Sequence, residues 1–209
     1  MTKKATVTTK YAALLRGINV GGSRKVPMAE LRTVLEGLGH GDVQTYLQSG
    51  NAVFSSAQTD PVALARELEA AIEAHFGFRV ACLVVDGAYL RAVAEACPFP
   101  AAELEGKQLH ATFFAEQPGP ERFAALDGAA FLPEEYRLGD RVLYLYVPDG
   151  LGRSKLAEAL ARPAVVKGID VTTRNWNTVA KLVELTGPRP ASTRPAPAWP
   201  GGSTARGHR

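Results

Sequence analysis

The sequence predicts an α+β protein made of two βαββαβ units packed together and followed by a disordered C-terminal tail. Two observations carry this. Short strand-like runs and helix-period apolar stripes alternate from residue 11 to 187, in an order that repeats once. The last 22 residues, "PRPASTRPAPAWPGGSTARGHR", abandon both patterns: five Pro, three Gly and four Arg surround a single large apolar group, too little to offset the entropy of ordering.

In the first half, "YAALLR" (11–16) reads as a strand, and a glycine-rich loop delivers the chain to a helix with Met28, Leu31, Val34, Leu35 and Leu38 on one stripe. Pro27 suits the first helical position and Gly39 the position after the last. "VQTYLQ" and "AVFSS" are strand-like and flank a tight turn at Ser49-Gly50. Asp60 caps a second helix that opens on Pro61, carries Val62, Ala65, Leu68, Ile72 and Phe76 on one face and stops at Gly77. "RVACLVV" (79–85) closes the order β-α-β-β-α-β, the ferredoxin-like arrangement.

The second half follows a helical connector near 88–96 and the turn "CPFP". It offers a strand at 109–116, a helix near 119–126, two strands around Gly139-Asp140, a helix starting near Ser154, a short strand "DVTT" and a last helix "NWNTVAKLVELTG". "VLYLYV" is apolar on both alternating faces, so its sheet is expected to be covered on both sides, by the other half or by a second copy in a homodimer. The expected division is a flexible N-terminus (1–10), subdomain 1 (11–97), subdomain 2 (98–187) and a tail (188–209).

Charge is unevenly spread. The net charge is +3, but residues 1–10 and 188–209 hold seven basic residues and no acid, which leaves 17 basic against 21 acidic residues over 11–187. A globally basic nucleic-acid surface is therefore not expected, and an anion site has to be a local concentration of cations. The longest apolar runs stop after five or six residues, far short of the roughly 20 that span a bilayer. No secretory signal is apparent, and a cytoplasmic protein without membrane partners is the expectation. Cys82 and Cys97 have no Cys or His at metal-ligand spacing, so no metal is expected.

Three polar segments stand out. In "LLRGINVGGSRKVPM" (14–28), Gly17 and Gly22 have P-loop separation, but Ser23 and Arg24 stand where that chemistry needs Lys and Ser or Thr, and the nucleotide-hydrolase reading fails. What remains is a glycine-rich, carboxylate-free loop whose backbone N–H groups can face a common anion beside Arg24 and Lys25, or a plain strand-to-helix turn. "LQSGN" presents Gln48, Ser49 and Asn51 at a hairpin. "TTRNWNT" places Arg174, Asn175, Asn177 and Thr178 at a helix start, where capping by Thr173 or Asn175 explains one residue but not all four. His40, His75 and His110 read as surface or satisfied core, and no catalytic residue can be chosen.

The segments "LLRGINVGG", "QSGN" and "TRNWNT", with "SKL" at 154–156 and "PF" at 98–99, resemble the bacterial domain-of-unknown-function family 1697 over most of residues 11–186. The resemblance implies two ferredoxin-like subdomains and carries no catalytic residues or cofactor. It marks the positions of the signature polar residues: Arg16, Asn19, Gly21, Gly22 and Lys25; Gln48, Ser49 and Asn51; Arg174, Asn175 and Asn177.

The leading expectation is that these segments meet in a cleft between subdomains and bind a small anionic or nucleotide-like ligand. Second comes an enzyme of transferase or hydrolase type on a phosphorylated metabolite. RNA binding through exposed sheet aromatics is the less favoured third, since Tyr46 and Phe54 are the only first-half candidates and Phe54 reads as core. A structural or partner-binding role is also open: the signature residues could be mortar between the two halves.

Overall fold

The computed structural model describes residues 7–22 and 24–188. The expected tail beyond Pro188 and the start of the expected flexible N-terminus lie outside the described residues.

Two four-stranded antiparallel sheets share one strand order. The first is built from β1 (Thr9–Leu15), β2 (Gly41–Tyr46), β3 (Asn51–Ser56) and β4 (Cys82–Asp86), arranged β2-β3-β1-β4. The second uses β5 (Leu109–Phe114), β6 (Glu135–Leu138), β7 (Val142–Tyr146) and β8 (Val171–Asn175), arranged β6-β7-β5-β8. Each sheet therefore has the first strand of its own half beside the third, with the second and fourth strands at the edges.

Helices α1 (Met28–Gly37) and α2 (Pro61–Phe76) cover the outer face of the first sheet. Leu31 and Leu35 of α1, and Leu64, Leu68 and Ile72 of α2, are buried against Leu15, Phe54 and Val84. Their ends follow local chemistry: the Asp60 carboxylate accepts from Val62 N–H ahead of Pro61, and Gly77 takes the left-handed conformation past the end of α2. Pro27 sits one position before α1 rather than inside it.

The middle of the molecule is a layer of two helices between the sheets. The segment expected as a connector is α3 (Gly87–Glu95), and it packs on the last helix, α6 (Trp176–Thr186). Leu90 and Val93 of α3, with Val179 and Leu182 of α6, share one core with the inner faces of both sheets: Ala12, Leu14 and Val53 on one side, Ala111, Phe113 and Tyr144 on the other. The two helices approach closely because Gly87 has no side chain: a Cβ there would lie 2.8 Å from Thr186 O and 2.9 Å from its Cβ. The inner face of "VLYLYV" is thus covered by the chain's own helices. The Tyr144 hydroxyl donates to Val93 O at 2.8 Å across this layer.

The outer face of the second sheet has a thinner cover. No α-helix forms at 119–126; the chain makes two 3-10 turns instead, Pro120–Phe123 and Gly128–Phe131. The Asp127 carboxylate accepts from Ala129 N–H and starts a new turn at Gly128, so the turn opened at Pro120 is not propagated. Helix α4 (Lys155–Leu160) is only six residues, and α5 (Pro163–Val166) four, because Arg162 precedes Pro163 and is driven into extended backbone.

Other differences are local. Strand β1 begins at Thr9, and Lys10 Nζ donates to Leu185 O and Gly187 O, tying the first strand to the last helix. Strand β4 begins at Cys82 rather than at 79. The hairpin at "LQSG" is a four-residue turn with Leu47 and Gly50 in the left-handed region, not a two-residue one. His110 is buried but not satisfied: its Nδ1 has no partner, and burial holds its pKa down to about 4. His40 Nε2 also lacks a hydrogen bond, lying 3.7 Å from the Glu67 carboxylate.

Candidate functional site

Arg174 joins the three polar segments. It stands on β8, is 7% exposed, and spends all five guanidinium N–H groups on neighbours. Nε donates to Asn51 Oδ1 at 2.6 Å; Nη2 to Leu15 O at 2.7 Å and Gly50 O at 3.2 Å; Nη1 to Thr172 Oγ1 at 2.6 Å and Thr173 O at 2.9 Å. Asn51 is fully buried and donates from Nδ2 to Tyr46 O and Ser49 Oγ. One guanidinium thereby bolts the second sheet to the end of the first. Among the described residues it has no carboxylate partner. Burial lowers its pKa to about 10, which leaves it charged at neutral pH.

Asn19 staples the opening loop. Its Nδ2 donates to Gln48 O at 2.8 Å and Val26 O at 3.0 Å, and its Oδ1 accepts from Val26 N–H at 2.9 Å. Gly21 and Gly22 are exposed with φ of +61° and +79°, conformations that suit glycine. The Lys25 and Gln48 side chains are exposed. Asn175 accepts from Thr178 N–H and caps α6. Asn177 packs its amide against Gly106. Asn19, Ser49, Asn51, Arg174 and Asn175 therefore spend hydrogen bonds on the protein itself, Asn51 and Arg174 buried and Ser49 and Asn175 at the surface, while the side chains of Arg16 and Lys25 are unpaired among the described residues.

Beside this junction lies a cavity of about 650 Å³, left where α4 and α5 fall short of covering the second sheet. Arg16 and Gly17 come from the opening loop, Arg153, Ser154 and Lys155 from the start of α4, and Thr172, Thr173 and Arg174 from β8. Four cationic side chains line it against one carboxylate, Glu158. Among the described residues, the side chains of Arg16, Arg153 and Lys155 have no hydrogen-bond or ion-pair partner. Arg24 reaches the same rim, its Nη1 lying 3.9 Å from where a Gly17 Cβ would stand. On the floor the hydroxyls of Thr112 and Thr173 bond each other at 2.8 Å, which leaves one of their two O–H hydrogens unused.

Helix α4, one wall of the cavity, is held from outside itself. Glu134 Oε2 accepts from Ser154 Oγ and from Leu156 N–H, both at 2.8 Å, while Ser154 Oγ accepts from Ala157 N–H. Cys82 sits close enough to feel Arg174, but burial and then Glu69 push its thiol up to about 12, so it is no nucleophile. No group of three or more His, Cys, Asp or Glu suited to a metal occurs among the described residues. No helix among them is long and apolar enough to cross a membrane.

The cavity lining from 151 to 166 was not legible as a site. "SKLAEALA" reads as a helix starting near Ser154, and only the absence of a longer cover over the second sheet turns it and the 3-10 turn before it into a wall.

The chain belongs to the family described as Protein of unknown function (DUF1697), which matches residues 8–144. That match takes in the opening loop and "QSGN". A solved conserved bacterial protein from Streptococcus pneumoniae is similar over 87% of this chain and 100% of its own, with 25% identity and a TM-score of 0.66. No curated protein matches the chain.

Proposed function

We propose that the protein binds a small anionic ligand in the cavity between the opening loop, α4 and β8. The observation that carries this is the charge of the lining: Arg16, Arg153, Lys155 and the buried Arg174 face one space with a single carboxylate among them. A buried guanidinium without a carboxylate leaves a positive potential in a low-dielectric wall, and three solvated cations at the mouth reinforce it. Of the residues expected in the cleft, Arg16 and Arg174 line this cavity and the rest do not; Arg174 builds its wall by bonding inward, and the ligand contacts fall to Arg16, Arg153 and Lys155.

This reading takes both halves as ferredoxin-like units, the second with its first helix reduced to 3-10 turns; the shared strand order supports it. It also takes the cytoplasm as the compartment, where Cys82 and Cys97 persist as free thiols.

Thermal-shift titration with inorganic phosphate, pyrophosphate and a panel of phosphorylated metabolites tests it. Arg16→Ala, Arg153→Ala and Lys155→Ala are each expected to weaken binding by about tenfold, as loss of a charge-assisted contact does, while Arg91→Ala on α3 leaves it unchanged. Equal binding by all four variants would sink the proposal.

A further inference from the structure

The cavity is two-sided in chemistry. Its mouth is cationic, but inside it Ala157, Ala161, Val166 and Val171 keep apolar surface facing the space, over a backing of buried Leu143, Leu145, Leu160, Val165 and Phe114. The backing residues are core, each 8% exposed or less, so the apolar surface the cavity offers comes from the partly covered residues in front of them. In the first half the longer α1 and α2 cover the corresponding face.

The lining also lacks what would read a nucleobase. It contains no Asn, Gln, Tyr, Trp or His, and Phe114, its sole aromatic, is only 3% exposed. Recognition of a base edge relies on amide and similar donor-acceptor pairs, and stacking relies on an exposed ring. A free sugar or polyol would leave the aliphatic floor wet. A cavity of this volume is the size of a small-ligand site and favours a ligand that fills the apolar part while its charge stays at the mouth.

We infer that the ligand is a free amphipathic anion, an alkyl or acyl chain bearing a phosphate or carboxylate, with its head at Arg16, Arg153 and Lys155 and its chain along Ala157, Val166 and Val171. This rests on the anion-binding reading of the same cavity and specifies the body of the ligand. A ligand that stayed in a bilayer would need an apolar rim to meet the membrane. Of the large apolar residues that are exposed among the described ones, only Leu151 borders the cavity, and Arg153 and Lys155 stand next to it.

Isothermal titration of the full chain with inorganic phosphate and with n-butyl, n-hexyl and n-octyl phosphate, all below micelle formation, tests the inference. Burial of each added methylene is worth about 0.8 kcal/mol, so affinity is expected to rise about fourfold per methylene from butyl to octyl. Ala157→Phe and Ala161→Phe place a ring over the floor without touching the cationic mouth. Each is expected to keep the phosphate affinity and lose the gain with chain length, and either variant alone suffices if the other fails to fold. Octyl phosphate binding no tighter than inorganic phosphate overturns the inference and leaves the anion site standing, whereas absence of binding by every phosphate overturns the anion reading itself. Tighter binding of an adenosine phosphate than of octyl phosphate also overturns it. So does co-sedimentation with anionic phospholipid vesicles by a protein that binds no monomeric alkyl phosphate.

Discussion

At Arg174 a single side chain does two jobs that pull in opposite directions. Three of its five hydrogen bonds join β8 to β1, β3 and the turn before β3, and its charge, unmatched by any carboxylate among the described residues, stands in the cavity wall. Removing it strands Asn51 Oδ1 and takes a donor from the carbonyl of Leu15, while Gly50 O keeps the Leu15 N–H. Arg174→Met is therefore expected to lower the unfolding free energy by about 3 to 5 kcal/mol, the range for breaking a buried charged network, measured by urea denaturation. Asn51→Ala removes the acceptor of one of the two shortest bonds and strands Nε. The double variant is expected to lose at least 1 kcal/mol less than the sum of the two singles, and strict additivity of the two losses would show that the pair does not act together. Gly50 completes the junction: it sits at φ +83° with its missing Cβ position 2.8 Å from Ile18 Cδ1, so the turn that offers its carbonyl to Arg174 has room for no other residue.

Among the elements, α4 shows how a cavity can depend on a residue remote in sequence. Six residues make a poor helix alone, and Glu134 supports this one by accepting from Ser154 and Leu156. Glu134→Ala is expected to destabilise the protein by about 1 to 2 kcal/mol and to weaken phosphate binding several-fold, because Lys155 and Arg153 lose their fixed base. Phosphate affinity unchanged in a folded Glu134→Ala protein would show that α4 does not position the site.

The same elements explain what could be read ahead of the structure. Helix α2 was legible to its ends because Asp60, Pro61 and Gly77 act within a few residues of themselves. The 3-10 turns in place of a helix at 119–126 are not legible because Pro120 and the apolar residues after it suit a helix start, while the Asp127 cap and Gly128 begin a separate turn. The three polar segments were legible as special, but whether they bond a ligand or one another depends on how two sheets are set side by side. That information resides in the α3 and α6 layer, not in the segments.

For the whole molecule, acid stability follows from one buried imidazole. His110 lies on β5 opposite Leu145 and Asn175, with Nδ1 unpartnered, and burial holds its pKa near 4 against an ordinary value of 6.5. Between those two values the unfolded chain binds a proton that the folded protein refuses. Stability therefore falls as pH drops from 6.5 to 4, by about 3 kcal/mol in full, and the loss is complete below the folded value. His40, lowered in the same direction by burial, adds a loss of the same sign. Urea midpoints at pH 7 and pH 5 check this: the wild type is expected to lose about 2 kcal/mol from His110 over that interval, and His110→Leu to lose less by that amount.

The shared middle layer has a consequence for how the protein is made. Strand β1 is synthesised first, yet its inner face is fully covered only when α6 joins α3, and Lys10 finds its acceptors only at Leu185 and Gly187. Roughly ninety residues separate the end of α3 from the end of α6, so at 5–20 residues per second the nascent first sheet waits about 5 to 18 s with Leu14, Val53 and Leu83 sheltered on that side by α3 alone. A chain organised this way acquires its final packing in one late step, after its last helix has been translated, and until then it is a natural client for chaperones that shield apolar surface.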